Sequence, residues 1–306
     1  MTLQEAINRF YRRCVAMNMS ENTITNYRYQ FKALADYFST KGIMLMENVT
    51  SDDVRGYLAH MRAKGYAPDT IKDRYVGLAT LFNFLCEDGL LMSNPVKTVK
   101  RPKLPKIPAR TFTATEIQKI LAFYNEGSFT FLRNKLIMYI LFGTGIRKSE
   151  LLGLTVFSLH LDEQYMTIIG KGNKQRQVPL SPQLTKLLRK YLDRRAEVLL
   201  HNAIETSVLL ISKYGKPLTD GGLQEVFRKM KDKTNITGRR FSPHTFRHSF
   251  AKNFLLNGGN LFALQEILGH EDVSTTRVYV EYTQQEIAEQ MKNFSPLENS
   301  RWSYLA

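Results

Sequence analysis

Between Ser242 and Tyr282 stand His244, Arg247, His248, His270, Arg277, Tyr279 and Tyr282, side chains able to bind an anion, move a proton or attack an electrophile. They include three of the chain's six histidines. Ser242-Pro243 reads as a helix N-cap followed by proline at the first helical position. On that helix His244 and Arg247, three residues apart, share a face. Asn260 opens a second helix, LFALQEIL, which ends at Gly269 and delivers His270 just beyond its C-terminus. Two histidines, an arginine and a tyrosine gathered in this way point to chemistry at an anionic centre. His244-x-x-x-His248 also has metal-ligand spacing, but no carboxylate or cysteine stands inside it, unlike H-E-x-x-H.

Two earlier stretches add cations. Arg147 follows Gly143-Thr144-Gly145 and opens a helix, where a guanidinium and free backbone N–H groups can together hold an anion. The same arginine is equally placed to pair with Glu150, three residues on. Tyr165–Ile169 and Gln177–Leu180 read as the two strands of a hairpin around Gly170-Lys171-Gly172-Asn173-Lys174. The loop lacks the G-x-x-x-x-G-K-[ST] spacing and no helix follows it directly, which argues against a nucleotide triphosphate. A lysine carried toward a phosphodiester fits it, with Lys171 and Lys174 as rivals.

The elements that must position these groups fall into two sets separated by a basic strap. Four amphipathic helices precede it: Thr2 to Cys14, Ser20 to Phe38, Thr50 or Ser51 to Met61, and Pro68 to Asp88. Short glycine-bearing turns join them into a small bundle. The aromatic stripe Tyr27, Phe31 and Phe38 reads as core rather than as a base-stacking platform. Lys72 and Arg74 sit near the start of the fourth helix. The strap NPVKTVKRPKLPKIPAR carries Lys97, Lys100, Arg101, Lys103 and Lys106 among four prolines and has no acidic residue. It is expected to run extended between the two folded parts, across a phosphate backbone. Beyond it come helices from Thr113, from Phe129 to Phe142, from Ser181 to Leu200 and from Thr219. The last two carry basic faces that include Lys186, Arg189, Lys190, Arg194, Arg195, Arg228 and Lys231.

Composition agrees with an anionic partner. Among 306 residues, 43 Lys and Arg face 28 Asp and Glu, a net charge of +15, which implies a polyanion held by phosphate neutralisation. Cys14 and Cys86, both inside apolar helical patterns, read as reduced thiols rather than as a disulfide framework. No apolar signal region opens the sequence and no run approaches 18 apolar residues, so a cytoplasmic protein without membrane spans is expected.

Arg147 in TGIRKSELLGL, Lys171 in IIGKGNKQRQVPL, His244 and Arg247 in SPHTFRHSFA, His270 in LGH and Tyr279 in STTRVY resemble, in order and spacing, the active-site boxes of the tyrosine recombinases (phage integrase family), nearest to the Xer type. Phe246 stands where leucine is commoner. The resemblance implies a mainly α fold with a small β-sheet. Residues 1–96 would form a helical, SAM-like core-binding domain, 97–110 the linker, and 111–306 a mixed α/β catalytic domain with a C-terminal oligomerisation helix. It further implies metal- and ATP-independent DNA strand transfer with Tyr279 as nucleophile, ranked above Tyr282. Arg147 and Arg247 would grip the phosphate, Lys171 would be the general acid, His270 a phosphate donor and His244 a proton-transfer partner. The implied partner is double-stranded DNA with paired sites, bound by a homotetramer or by a hetero-tetramer with a paralogue. The implied DNA contacts are Lys72, Arg74, Lys97, Lys100, Arg101, Lys103, Lys106 and Lys174.

Overall fold

The computed structural model describes residues 1–104, 111–124, 126–170, 173–269, 287–288 and 291–293. The chain forms two compact units, Met1–Ile107 and Pro108–Ala306. Four helices make the first: α1 (Leu3–Ala16), α2 (Glu21–Thr40), α3 (Ser51–Ala63) and α4 (Pro68–Glu87). Reciprocal capping boxes at Thr2/Glu5 and Thr50/Asp53 start α1 and α3, and the Ser20 side chain caps α2. Their apolar stripes meet around Phe10, whose ring packs edge-on against Tyr27, Phe31 and Phe84 at centroid separations of 5.0, 5.4 and 5.6 Å. The aromatic stripe of α2 is therefore core, as its spacing predicts.

The basic strap begins later than the sequence suggests. Val96 and Val99 are buried in the core of the first unit. Asn94 accepts from the Val96 N–H at 2.8 Å, and the Tyr75 hydroxyl donates to the Val99 carbonyl at 2.9 Å. Two valines three residues apart fold Asn94–Val99 onto the bundle as a turn, an apolar signal hidden within a charge run. Lys97, Lys100, Arg101 and Lys103 are exposed. Lys106 lies outside the described residues.

The second unit is built on α6 (Phe129–Thr144), whose apolar residues are spread around the helix and mostly buried. Against it pack α5 (Ala114–Phe123), α8 (Pro182–Asn202) and α10 (Pro243–Leu256), with α9 (Asp220–Thr234) on α5, α11 (Leu261–Leu268) on α10, and the short α7 (Lys148–Leu152) following α6 in the chain. The antiparallel sheet has three strands in the order β1 (Leu159–His160), β2 (Tyr165–Ile169) and β3 (Gln175–Pro179). The two-residue β1 is too short to show alternation in the sequence, and β3 begins two residues before its expected start. Phe246, fully buried, meets Phe142 at 4.5 Å and Phe112 at 5.1 Å. That aromatic cluster anchors α10 and fixes which face its polar residues present. Near the C-terminus, Ile287 and Met291 are exposed.

Several cations assigned to a basic track have local partners instead. Arg195 is 6% exposed and donates to the carbonyls of Thr206, Val208 and Leu209, tying α8 to the following segment. Arg189 pairs with Asp162, Lys190 with Glu126, and Arg228 with Glu225 and Asp232. Their charge alternates with acid along the surface, a pattern that composition cannot reveal.

Candidate active site

The site is assembled around two helix ends. α6 stops at Gly145, whose φ of +62° is left-handed. A Cβ there would approach Phe250 to 2.4 Å and Leu268 to 2.9 Å, so glycine is required on both counts. The turn leads at once into Arg147, the N-cap of α7. α11 likewise ends at a left-handed glycine, Gly269, and its final carbonyls face α7 and α10. Asn260 caps its start and Ser242 caps α10, both as the sequence predicts.

Arginines from three separate segments converge on the end of α11. Arg247, 4% exposed, donates through Nη2 to the Leu268 carbonyl at 2.9 Å and through Nη1 to the Gly145 carbonyl at 2.8 Å. Arg147 Nη1 reaches the same Leu268 oxygen at 3.3 Å, and its Nη2 reaches Gly269 O at 3.2 Å. Arg176 Nε donates to Ile267 O at 2.8 Å. The macrodipole makes this helix end partly negative, which favours cations there.

One carboxylate balances them. Glu150, 7% exposed, accepts from the Arg147 backbone N–H at 2.7 Å and from Arg147 Nη1 at 3.0 Å. On its other side it accepts from Arg176 Nη1 and Nη2, each at 2.8 Å. Burial alone would raise the Glu150 carboxyl, but the Arg176 and Arg147 hydrogen bonds and the Arg176 charge outweigh it and bring the pKa down to about 2. Arg147 is paired with Glu150, as the i,i+3 spacing allows, and its side chain keeps 42% exposure at the cavity wall.

That cavity, about 740 Å³, is lined by Arg147, His244, Arg247, Arg240 and Lys231, with Phe227 and Phe241 as its apolar wall. Burial, then the charges of Arg247 and Arg240, push the His244 imidazole below its ordinary value and keep it neutral near pH 7. His244 Nε2 lies 2.7 Å from His248 Nε2, a hydrogen bond in which one ring must donate and the other accept. The pair therefore shares one proton there, and the contact fixes the His244 ring against His248. No group of three or more His, Cys, Asp or Glu suited to a metal occurs among the described residues.

The structure thus brings Arg147, His244 and Arg247 to one cavity. Lys171, His270 and Tyr279, with the rival Tyr282, lie outside the described residues. Lys174 is exposed at the end of the β2–β3 loop, where its carbonyl accepts from Gly170 N–H at 2.7 Å. In the first unit Lys72 and Arg74 are both half-buried, and Arg74 Nε and Nη1 are shielded from solvent with no hydrogen-bond partner. Sequence reasoning missed Arg176. The available signal was parity: Arg176 stands two residues before Val178 on β3 and opposite Ile168 on β2, so it occupies the inward, otherwise apolar face of the sheet.

Arginines on a helix end and a histidine beside them, in a basic cavity carried by a helical unit with a small sheet, form a site suited to an anion. The chain belongs to the phage integrase family, whose pattern it matches over residues 110–286, with the family's N-terminal SAM-like domain over 7–89. It is a DNA strand-transferring enzyme of the tyrosine recombinase kind. It is 32% identical to the tyrosine recombinase XerD of Halalkalibacterium halodurans over 92% of this chain and 94% of that one. It is 31% identical to the tyrosine recombinase XerC of Listeria welshimeri over 88% and 90%. In fold it resembles the XerH site-specific recombinase bound to a palindromic difH substrate, with a TM-score of 0.75 at 22% identity over 90% of this chain and 81% of that chain. It also resembles a lambda integrase dimer bound to a core site, with a TM-score of 0.73 at 19% identity over 91% and 77%.

Proposed function

We propose that this enzyme recombines double-stranded DNA at paired specific sites, in two rounds of strand exchange through a Holliday junction. The observation that carries the reading is the meeting of Arg147 and Arg247 on one carbonyl, Leu268 O, beside His244 in a basic cavity. In the cleavage step the Tyr279 Oη–P bond forms and the P–O5′ bond breaks, leaving a 3′-phosphotyrosyl enzyme and a free 5′-hydroxyl. His244, neutral and held by His248, takes up the phenol proton. Lys171 gives a proton to the departing 5′-oxygen. Arg147 and Arg247, with a donor from His270, neutralise the charge that grows on the non-bridging oxygens in the transition state. The phosphotyrosyl bond conserves the energy of the broken ester, so a 5′-hydroxyl from the partner strand rejoins the DNA by the reverse step without ATP or metal.

Residues 1–96 and 111–306 would each contact the duplex, and the strap would cross a phosphate backbone. Lys72, Arg74, Lys97, Lys100, Arg101, Lys103, Lys106 and Lys174 are the candidate phosphate contacts. Strand exchange between two sites calls for four active sites, hence a tetramer of this chain, or of this chain with a paralogue. The relatives named XerC and XerD support the second arrangement, and the two DNA-bound structures support duplex DNA as substrate. Denaturant quenching of the enzyme on whole genomic DNA, followed by sequencing of covalently attached fragments, tests the reading. Recombination predicts enrichment at a few sites built of inverted half-sites. Attachment spread evenly over the genome would assign the same chemistry to a type IB topoisomerase.

A further inference from the structure

We infer that Arg176 is a positioning residue for strand cleavage, acting through Glu150 to aim the Arg147 guanidinium at the scissile phosphate. The inference rests on the reading of Arg147 as a phosphate ligand. Arg176 does not line the cavity, and its side chain is only 12% exposed, against 42% for Arg147. It touches the groups that hold the ligand. Its two terminal nitrogens grip both oxygens of Glu150, and its Nε takes the Ile267 carbonyl. Glu150 therefore meets two guanidinium groups from opposite sides, and Arg176 makes the more symmetrical contact.

Without Arg176, the buried Glu150 would keep Arg147 as its only remaining partner among these arginines. A carboxylate in that state takes a guanidinium end-on through paired hydrogen bonds, the geometry a phosphate also needs. Arg147 would then turn toward Glu150 and away from both the cavity and the Leu268 oxygen that it shares with Arg247. The Ile267 carbonyl would lose its donor as well, loosening the end of α11 from which His270 follows. Arg176 also stands on the strand that closes the β2–β3 hairpin, so the same contact ties the base of the Lys171 loop to α7 and α11. Gly269 leaves room for it: a Cβ at that position would come within 3.0 Å of Arg176 Cδ and Nη1.

The test compares cleavage by the wild-type chain and Arg176→Ala on a nicked duplex carrying a trapped site. One version has an ordinary scissile phosphate; in the other a methyl group replaces a non-bridging oxygen. The methylphosphonate is neutral and depends less on a well-aimed guanidinium. Misplacing a catalytic group by about 1 Å costs on the order of 100-fold. Arg176→Ala is therefore expected to cleave the phosphate roughly 100-fold slower and to come within about 10-fold of wild type on the methylphosphonate. Equal losses on both substrates, or no loss on the phosphate, would overturn the inference. Arg176→Lys, which keeps the charge without the paired donors, carries the same comparison should Arg176→Ala not bind the site. Failure of the wild-type chain itself to form a covalent adduct would instead remove the reading of the site as a phosphate-cleaving centre.

Discussion

Replacing Glu150 with glutamine changes one heavy atom and removes the carboxylate that, among the described residues, pairs with both Arg147 and Arg176. Wild-type Glu150 has its pKa brought from the ordinary 4.5 to about 2. At roughly 1.4 kcal/mol per tenfold change in proton affinity, the ionised carboxylate contributes about 3 kcal/mol to the folded state at neutral pH. Removing one partner of a buried ion pair independently suggests about 3–5 kcal/mol. Glutamine keeps one acceptor oxygen but sets an NH2 group against guanidinium donors, so the loss should not fall far short of this. Because the folded pKa is depressed, the contribution is complete above 4.5 and disappears as the pH falls through about 2. Hydrogen exchange read on peptides covering 146–152 and 261–269 reports this unit separately from the helical bundle. At neutral pH, Glu150→Gln is expected to lower protection there by about two orders of magnitude. The difference in urea stability between the two proteins should then shrink as the pH falls from 4.5 toward 2. A loss under about 1 kcal/mol at neutral pH, or a difference that persists unchanged into acid, would refute the account of Glu150 as the ionised counterweight.

Duplex binding should weaken steeply with salt, the logarithm of affinity falling linearly with the logarithm of salt at a slope of about −0.9 per phosphate contacted. Replacing Lys100, Arg101 and Lys103 with alanine should flatten that slope by about 3, and an unchanged slope would remove the strap from the interface. In its proposed role as a base His244 must be neutral, and its lowered pKa extends that form below the ordinary 6.5. Cleavage should accordingly hold from neutral pH down past 6.5 and fall as His244 becomes protonated in more acid solution. His244→Gln should lose that acid limb and most of the rate, by about 100-fold or more, in single-turnover cleavage; an identical pH profile in the variant would place the titrating group elsewhere.

The extent to which the sequence discloses this molecule depends on the range of each interaction. Helix ends are set by neighbours within four residues, so Thr2, Ser20, Thr113, Ser242 and Asn260 announce the caps that the structure shows. Arg147, His244 and Arg247 could be named because each stands in a local box. The meeting of Arg147 and Arg247 around Gly145 and the end of α11 joins segments more than 100 residues apart and leaves no trace in spacing. Arg176 was hidden for a related reason. In QRQVPL it looks like one more cation of a basic hairpin, and only the strand register turns it inward against Glu150. The strap was misjudged at its start because charge and proline dominate its composition, while burial of Val96 and Val99 is decided by the bundle beneath them. Arg195 shows the same limit: its place among helix cations suggests a surface, and its partners are carbonyls of a later segment.

The proposed step on which the other roles depend is attack by Tyr279 on the scissile phosphate held by Arg147 and Arg247. Its most direct test is denaturing gel electrophoresis of wild-type and Tyr279→Phe chains after reaction with a labelled, nicked duplex carrying a trapped site, with mass spectrometry of the adduct. The wild-type chain should give a covalent complex whose nucleotide is attached at Tyr279. Tyr279→Phe should give none while binding the duplex with nearly unchanged affinity. An undiminished adduct in that variant, attached at Tyr282 or elsewhere, would contradict the account.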